Sequence, residues 1–314
     1  MTSSAAPTRD AIVATAHESI ARGSKSFAAA SLLFDRATRE RAWLLYAWCR
    51  ACDDIADGQD HGHTMSVVED APQRIAAMAT LTDAALDGHV IGLPAFDALR
   101  IVAAETSLPA RYAHDLIQGF RLDAEEWRPR TEDDLLTYCY HVAGVVGCMM
   151  AVIMGVAPDD EAVLDRACDL GLAFQLANIA RDIEEDAAAG RCYLPTDWLD
   201  ELGISPDAVM ADRAKLALLA QRLTDRAAQF EASARMGTRA LSLRSAWAVL
   251  AAAEIYGAIG RKVAARGEHA WDERVTTSKW DKLRFIVRAR GHARRRAELM
   301  ESARSAELWR RPGR

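Results

Sequence analysis

The chain has 314 residues and a formal net charge of −6, with 50% hydrophobic and 27% charged positions. That length admits one large core or two small domains, and the acidic balance argues against nucleic-acid binding. The six cysteines (Cys49, Cys52, Cys139, Cys148, Cys168 and Cys192) lie in helical or apolar contexts. The opening stretch MTSSAAPTRDAIVATAHES lacks the apolar core of a signal peptide, so free thiols and a cytoplasmic location are expected.

Apolar positions three and four apart predict helices over 10–21 and 39–56. The second ends in YAWCRACDDIAD, Tyr46 to Asp57. Asp53 and Asp57 fall about 40° apart on one helix face, with Asp54 adjacent and Arg50 one turn earlier. Like charges at this spacing cost an isolated helix about 0.2–0.5 kcal/mol per pair, and a helix C-terminus disfavours acids. A divalent cation, which takes carboxylate oxygens and shares them with phosphates, would offset both. A solvated acidic helix end is the other reading, and this motif alone leaves both open. Cys49 and Cys52 form a CxxC with no second pair, which reads as helix packing rather than a zinc or redox site. Trp43 and Trp48 read as packing residues too.

Helices are expected next over 96–105 and 131–156. From Leu135 to Pro158 there is no Asp, Glu, Lys or Arg, a run long enough to span a bilayer. Acids flank it on both sides without a basic anchor, and Tyr138, Tyr140, His141, Gly144 and Gly147 dilute its hydrophobicity, so a buried central helix is expected. His141 reads as a hydrogen-bonded core or pocket residue, with a general-base role as the alternative. The helix over 161–186 carries QLANIARDIEEDAAAGRCYLP, Gln175 to Pro195. Asn178, Asp182 and Asp186 recur every four residues and form one stripe, which Gln175 extends; Arg181 and Glu185 form a neighbouring row. Two acidic stripes, each beside an arginine, point to a cage for several magnesium ions, with manganese as the alternative. Arg50, Arg181 and Arg191 would then supply bidentate contacts to a diphosphate.

Helices over 208–232, 239–265 and 279–300 complete the pattern, with breaks at Gly58 to Gly62, Gly92 to Pro94, Pro158, Gly190 to Pro195, Pro206 and Gly267. There is no alternating strand pattern, so one all-α domain over 1–314 is expected, with a basic C-terminal helix and tail at 279–314. From Arg284 to Arg314 there are ten arginines and three glutamates. That stretch, including Arg294, Arg295 and Arg296, is either an anionic-lipid contact giving peripheral association at the inner membrane face, or a solvated helix face with a disordered tail.

Five segments together resemble the squalene and phytoene synthase family, most of all its bacterial phytoene-forming members. They are GSKSFAAAS (Gly23 to Ser31), YAWCRACDDIAD, YCYHVAGVVG (Tyr138 to Gly147), NIARDIEED and GRCYLP (Gly190 to Pro195). The resemblance implies an α-helical isoprenoid synthase bundle with a central cavity. It implies magnesium held by Asp53, Asp57, Asp182 and Asp186 with Asn178 assisting, and diphosphate contacts from Arg50, Arg181, Arg191, Tyr256 and Arg274. Ser24 and Phe27 would flank the cavity mouth. Tyr138, Val142, Ala143, Val146, Gly147 and Gln175 would line the prenyl pocket, with Ala143 and Ala173 at its bottom; Tyr138 is also expected to take part in catalysis. Where some squalene-type members carry Tyr, this chain has His141.

The implied reaction joins two molecules of geranylgeranyl diphosphate head to head through a cyclopropyl diphosphate, prephytoene diphosphate, and ends in phytoene without NADPH. No obligate protein partner is implied. Two alternatives stand beside it: the same reaction on farnesyl diphosphate, giving squalene or dehydrosqualene, and a non-catalytic helical protein that binds prenyl lipids.

Overall fold

In the computed structural model, which describes residues 7–56, 71–299 and 302–313, every regular element is helical. Asp57 and the expected break at Gly58 to Gly62 lie outside the described residues. The contacts divide the chain into two compact units, Met1–Glu125 with Met149–Asp159, and Glu126–Cys148 with Asp160–Arg314.

The first unit holds α1 (Arg9–Gly23), α2 (Lys25–Ser31), α3 (Arg36–Ala56), α4 (Ala71–Leu86), α5 (Pro94–Thr106) and α6 (Ala110–Ala124). α1, α3 and α5 pack on one another, burying Ile12, Ile20, Leu44, Trp48, Phe96 and Leu99. Ion pairs from Arg9 to Glu40 (2.7 Å) and Glu105 (2.6 Å), and from Arg41 to Glu105 (2.9 Å), tie the three helices together. The break at Gly92 to Pro94 has a direct cause. The buried Asp97 carboxylate accepts the Ile91 and Gly92 backbone N–H groups, and Pro94 opens the helix at a position where no N–H is needed.

The second unit begins with α7 (Glu132–Cys139), a single π-helical turn (Tyr140–Gly144) and the start of α8 (Val145–Ile153). The acids at the head of this run cap it. Thr131 and Asp134 form a capping box, and Glu132 and Asp133 complement the helix dipole. Over Glu132–Ile153 the run is apolar and long enough to cross a membrane, yet its apolar window is 61% buried in the fold. Its partner is α9 (Glu161–Ala188), and glycines set the distance between them. A Cβ at Gly147 would lie 2.2 Å from the Ala167 carbonyl oxygen, and one at Gly171 would lie 2.2 Å from that of Ala143. α10 (Thr196–Leu202), α11 (Arg213–Gly237), α12 (Leu243–Arg266) and α13 (Lys279–Arg294) complete the unit; α11 and α12 pack on α9, and α13 packs on α12.

The C-terminal stretch divides in two: α13 is the expected basic helix, with Arg284, Arg288, Arg290 and Arg294 exposed, and the segment after it is ordered. Residues 302–313 are neither a disordered tail nor a free basic patch. Arg304 makes a bidentate pair with the buried Asp169 (2.9 and 2.6 Å), and Arg311, only 4% exposed, pairs with Asp165 (2.9 Å) and Glu161.

Candidate active site

α9 has the length to carry a stripe of functional groups because Asp160 caps its start and Gly190, at φ +76°, ends it, with the Arg191 N–H donating to the Asp186 carbonyl at 2.8 Å. Gln175, Asn178, Asp182 and Asp186 are all half-buried along one side. Arg181 forks onto the adjacent Asp182, with its Nε 2.7 Å from one carboxylate oxygen and an Nη on the other. Burial is the largest influence on the Arg181 charge and works against it, but the hydrogen bond to Asp182 and the charges of Asp182 and Glu185 together outweigh it and raise the guanidinium above its usual range. Arg274 reaches the same helix, with Nη2 2.9 Å from Asp182 and Nη1 3.1 Å from Glu185.

Arg274 stands in a loop, and two contacts explain its reach. The buried Trp271 donates its indole N–H to the Ala180 carbonyl at 3.1 Å, and Asp272 pairs with Arg213 at 2.5 Å. Tyr256 stacks on Phe174 at 4.1 Å. Burial raises its phenol above the usual range, and the Arg181 charge opposes that shift.

Tyr138 is 3% exposed. Its ring is stacked between Tyr193, at 4.8 Å, and Trp127, at 5.9 Å. That stack joins α7 to the GRCYLP turn, where Arg191 and Asp186 line a small cavity with Ile179, Ile183, Tyr193 and Val209. Nothing in the sequence marks Trp127 or Tyr193 beyond the motif around the latter. Val142, Ala143, Val146 and Gly147 are half-buried in a run that is otherwise largely buried. His141 sits edge-on to Tyr140 at 5.2 Å. Ala173 points elsewhere, about 200° around α9 from Gln175. It lines a cavity with Phe174 and Ala177 that α11 and α12 close with Thr224, Ala228 and Gly260.

In the first unit α3 carries Arg50, which pairs with Asp53 at 2.9 Å and with the buried Asp54 at 2.5 Å. The Ser24 hydroxyl caps α2 by accepting the Phe27 N–H, and the Phe27 ring meets Tyr46 edge-on at 5.8 Å. Burial pushes the Cys49 thiol up to about 12 and Cys52 well above its usual value, so both remain protonated at neutral pH, as packing residues do.

The α9 stripe fits a hard divalent cation. The Asn178 Oδ1 is buried and has no hydrogen-bond partner among the described residues, which is costly unless something else takes its lone pairs. Among the described residues no three His, Cys, Asp or Glu side chains group into a ready-made metal site. An ion here would therefore take mixed oxygen ligands, a carboxamide and carboxylates together with phosphate oxygens and water, which is the way magnesium is usually held.

The all-α fold is that of the isoprenoid synthases. A dehydrosqualene synthase solved with a ligand superposes with a TM-score of 0.81 at 24% identity, covering 91% of this chain and 98% of that one. A squalene synthase from Alicyclobacillus acidocaldarius superposes at 0.72 with 25% identity, covering 84% and 95%. The chain belongs to the squalene/phytoene synthase family, whose sequence profile matches residues 20–281. A phytoene synthase of Pseudescherichia vulneris is 48% identical over 95% of this chain and 97% of its own length. A 15-cis-phytoene synthase of Pantoea ananas is 46% identical over 94% and 96%. The protein is accordingly a prenyltransferase that takes a prenyl diphosphate substrate.

Proposed function

We propose that this enzyme condenses two molecules of geranylgeranyl diphosphate head to head, through prephytoene diphosphate, to phytoene, releasing diphosphate, in carotenoid biosynthesis. The observation that carries the reading is 46–49% identity over 92–95% of this chain to proteins described as phytoene synthases.

The site has the chemistry this requires. Arg181 and Arg274 present guanidinium forks beside the carboxylate stripe, suited to a diphosphate. Asn178, Asp182 and Asp186 on α9 are the proposed ligands of magnesium or manganese, and the resemblance assigns the same role to Asp53 and Asp57 of the first motif. When bound, the cation supplies neutralisation of the negative charge on the departing diphosphate. Val142, Ala143 and Val146 offer an apolar wall that keeps water from an allyl cation. The six free thiols support a cytoplasmic location.

The test is product analysis with each substrate in turn, in magnesium and without NADPH. Phytoene from geranylgeranyl diphosphate is expected; turnover confined to farnesyl diphosphate would refute the assignment.

A further inference from the structure

Eight large hydrophobic side chains among the described residues are exposed, and three of them stand on α13: Trp280 at 80%, Leu283 at 52% and Val287 at 66%. At about 100° per residue they fall within a 60° arc, roughly opposite the buried Phe285, Ala289 and Ala293. α13 is therefore apolar on two faces, and among the described residues only one of them is covered.

The rest of its surface is basic. Lys279, Lys282, Arg284, Arg288, Arg290 and Arg294 stand against the single acid Asp281, in a chain whose net charge is −6. On the helical wheel Arg284 lies on one side of the apolar arc and Arg290 on the other. The helix is also held firmly. Ser278 and Asp281 form a capping box, the Trp247 indole N–H donates to the Ile286 carbonyl at 2.7 Å, and Arg288 pairs with the buried Glu254.

An exposed tryptophan among leucine and valine, flanked by arginines on a preformed helix, has the composition of a helix lying in a lipid interface. We propose that the outward face of α13 docks the enzyme on an anionic membrane surface, with Trp280, Leu283 and Val287 inserted at the headgroup level and the flanking bases on acidic headgroups. A second copy of the chain is disfavoured as the occupant, because pairing two such helices would bring two strongly basic surfaces together. The inference rests on the reading above in one respect: a long hydrocarbon product leaves most easily into lipid. It also moves the membrane contact away from residues 302–313, whose Arg304 and Arg311 are committed to buried carboxylates, and from Arg296, which donates to the Leu241 and Ala293 carbonyls.

The test is vesicle co-sedimentation of the full chain. Vesicles of phosphatidylcholine alone are compared with vesicles containing roughly one-third phosphatidylglycerol, across a range of salt. Wild-type enzyme should bind the anionic vesicles, more weakly as salt rises. Combining Trp280→Ser, Leu283→Ser and Val287→Ser should lower partitioning by about tenfold or more. Arg284→Gln with Arg290→Gln should reduce the salt dependence. All variants should keep wild-type turnover on detergent-dispersed substrate, because none of these residues belongs to the α9 site. Absence of wild-type binding, or binding unchanged in the triple-serine variant, would overturn the proposal. So would a wild-type dimer that ignores vesicles and is broken by the serine substitutions, which would make the face a contact between copies. Failure of docking with phytoene still formed leaves the function standing; vesicle binding without product leaves the docking standing.

Discussion

The Asn178 Oδ1 is buried with no partner among the described residues, an arrangement that costs about 1–3 kcal/mol. Asn178→Leu should therefore unfold no more easily than wild type in a urea titration, and should gain about 1 kcal/mol. Its magnesium-dependent turnover should fall by about a hundredfold, with a higher metal concentration needed for half-maximal rate. Arg274 gives a complementary prediction. It touches Asp182 and Glu185 from an exposed loop position, so Arg274→Gln should leave the melting temperature nearly unchanged while raising KM for the diphosphate substrate. The two residues differ in how far the sequence reveals them. Asn178, Asp182 and Asp186 can be read from helical spacing alone. Arg274 stands in irregular sequence, and it is brought to α9 by the Trp271 to Ala180 hydrogen bond across 91 residues and the Asp272 to Arg213 pair. The stacking of Trp127 and Tyr193 on Tyr138 is equally invisible to spacing, because the three rings come from three separate stretches of chain.

The helices show why some elements are legible and others are not. Long periodic runs such as α9, α11 and α12 stand near their expected bounds. α2, α4, α6 and α10 fall outside the expected helices, although in α6 Tyr112, Ala113, Leu116 and Ile117 recur at helical spacing and all four are buried. The π-turn at Tyr140–Gly144 carries no such signal. It gives Val145 an N–H bond to the Tyr140 carbonyl five residues back, within a run that reads as one continuous helix. Its packing on α9 yields a paired prediction. Gly171→Ala and Gly147→Ala each push a methyl to 2.2 Å from a backbone oxygen and should cost about 1–3 kcal/mol. Gly291→Ala on α13, with nothing within 4 Å, should be neutral or stabilise by up to about 1 kcal/mol. Thermal melts of the three variants decide the matter. A pH effect belongs to the same scale. Burial opposes ionisation of Glu254, but Arg288 and Arg235 outweigh it and hold the carboxyl below its usual range. Its contribution is thus complete above the ordinary carboxylate range, about pH 4.3, and is lost as pH falls below it. Glu254→Gln should be less stable than wild type at neutral pH and should show a flatter acid limb.

At the scale of the whole chain, the C-terminal stretch returns to the helix that carries the site. Residues 302–313 lie 135 to 150 positions beyond the α9 acids they meet. Arg304 satisfies both oxygens of Asp169, which also accepts the Ser233 hydroxyl at 2.6 Å, and Arg311 closes on Asp165 and Glu161. The sequence shows the arginines but not their partners, since net charge along a tail says nothing of which carboxylates are buried far upstream. Removing one member of a buried pair leaves the other charge desolvated, at a cost of about 3–5 kcal/mol, whereas replacing both with apolar groups can be nearly neutral. Arg304→Ala should therefore be strongly destabilising in urea, as should deletion of residues 302–314. Arg304→Met combined with Asp169→Leu should recover much of the loss, even though it removes the same ion pair. Because the pair is buried, the single-variant deficit should persist at high salt, where an exposed pair would already be screened. A single variant as stable as wild type, or a double variant as unstable as the single, would show that the tail does not hold α9 through this contact.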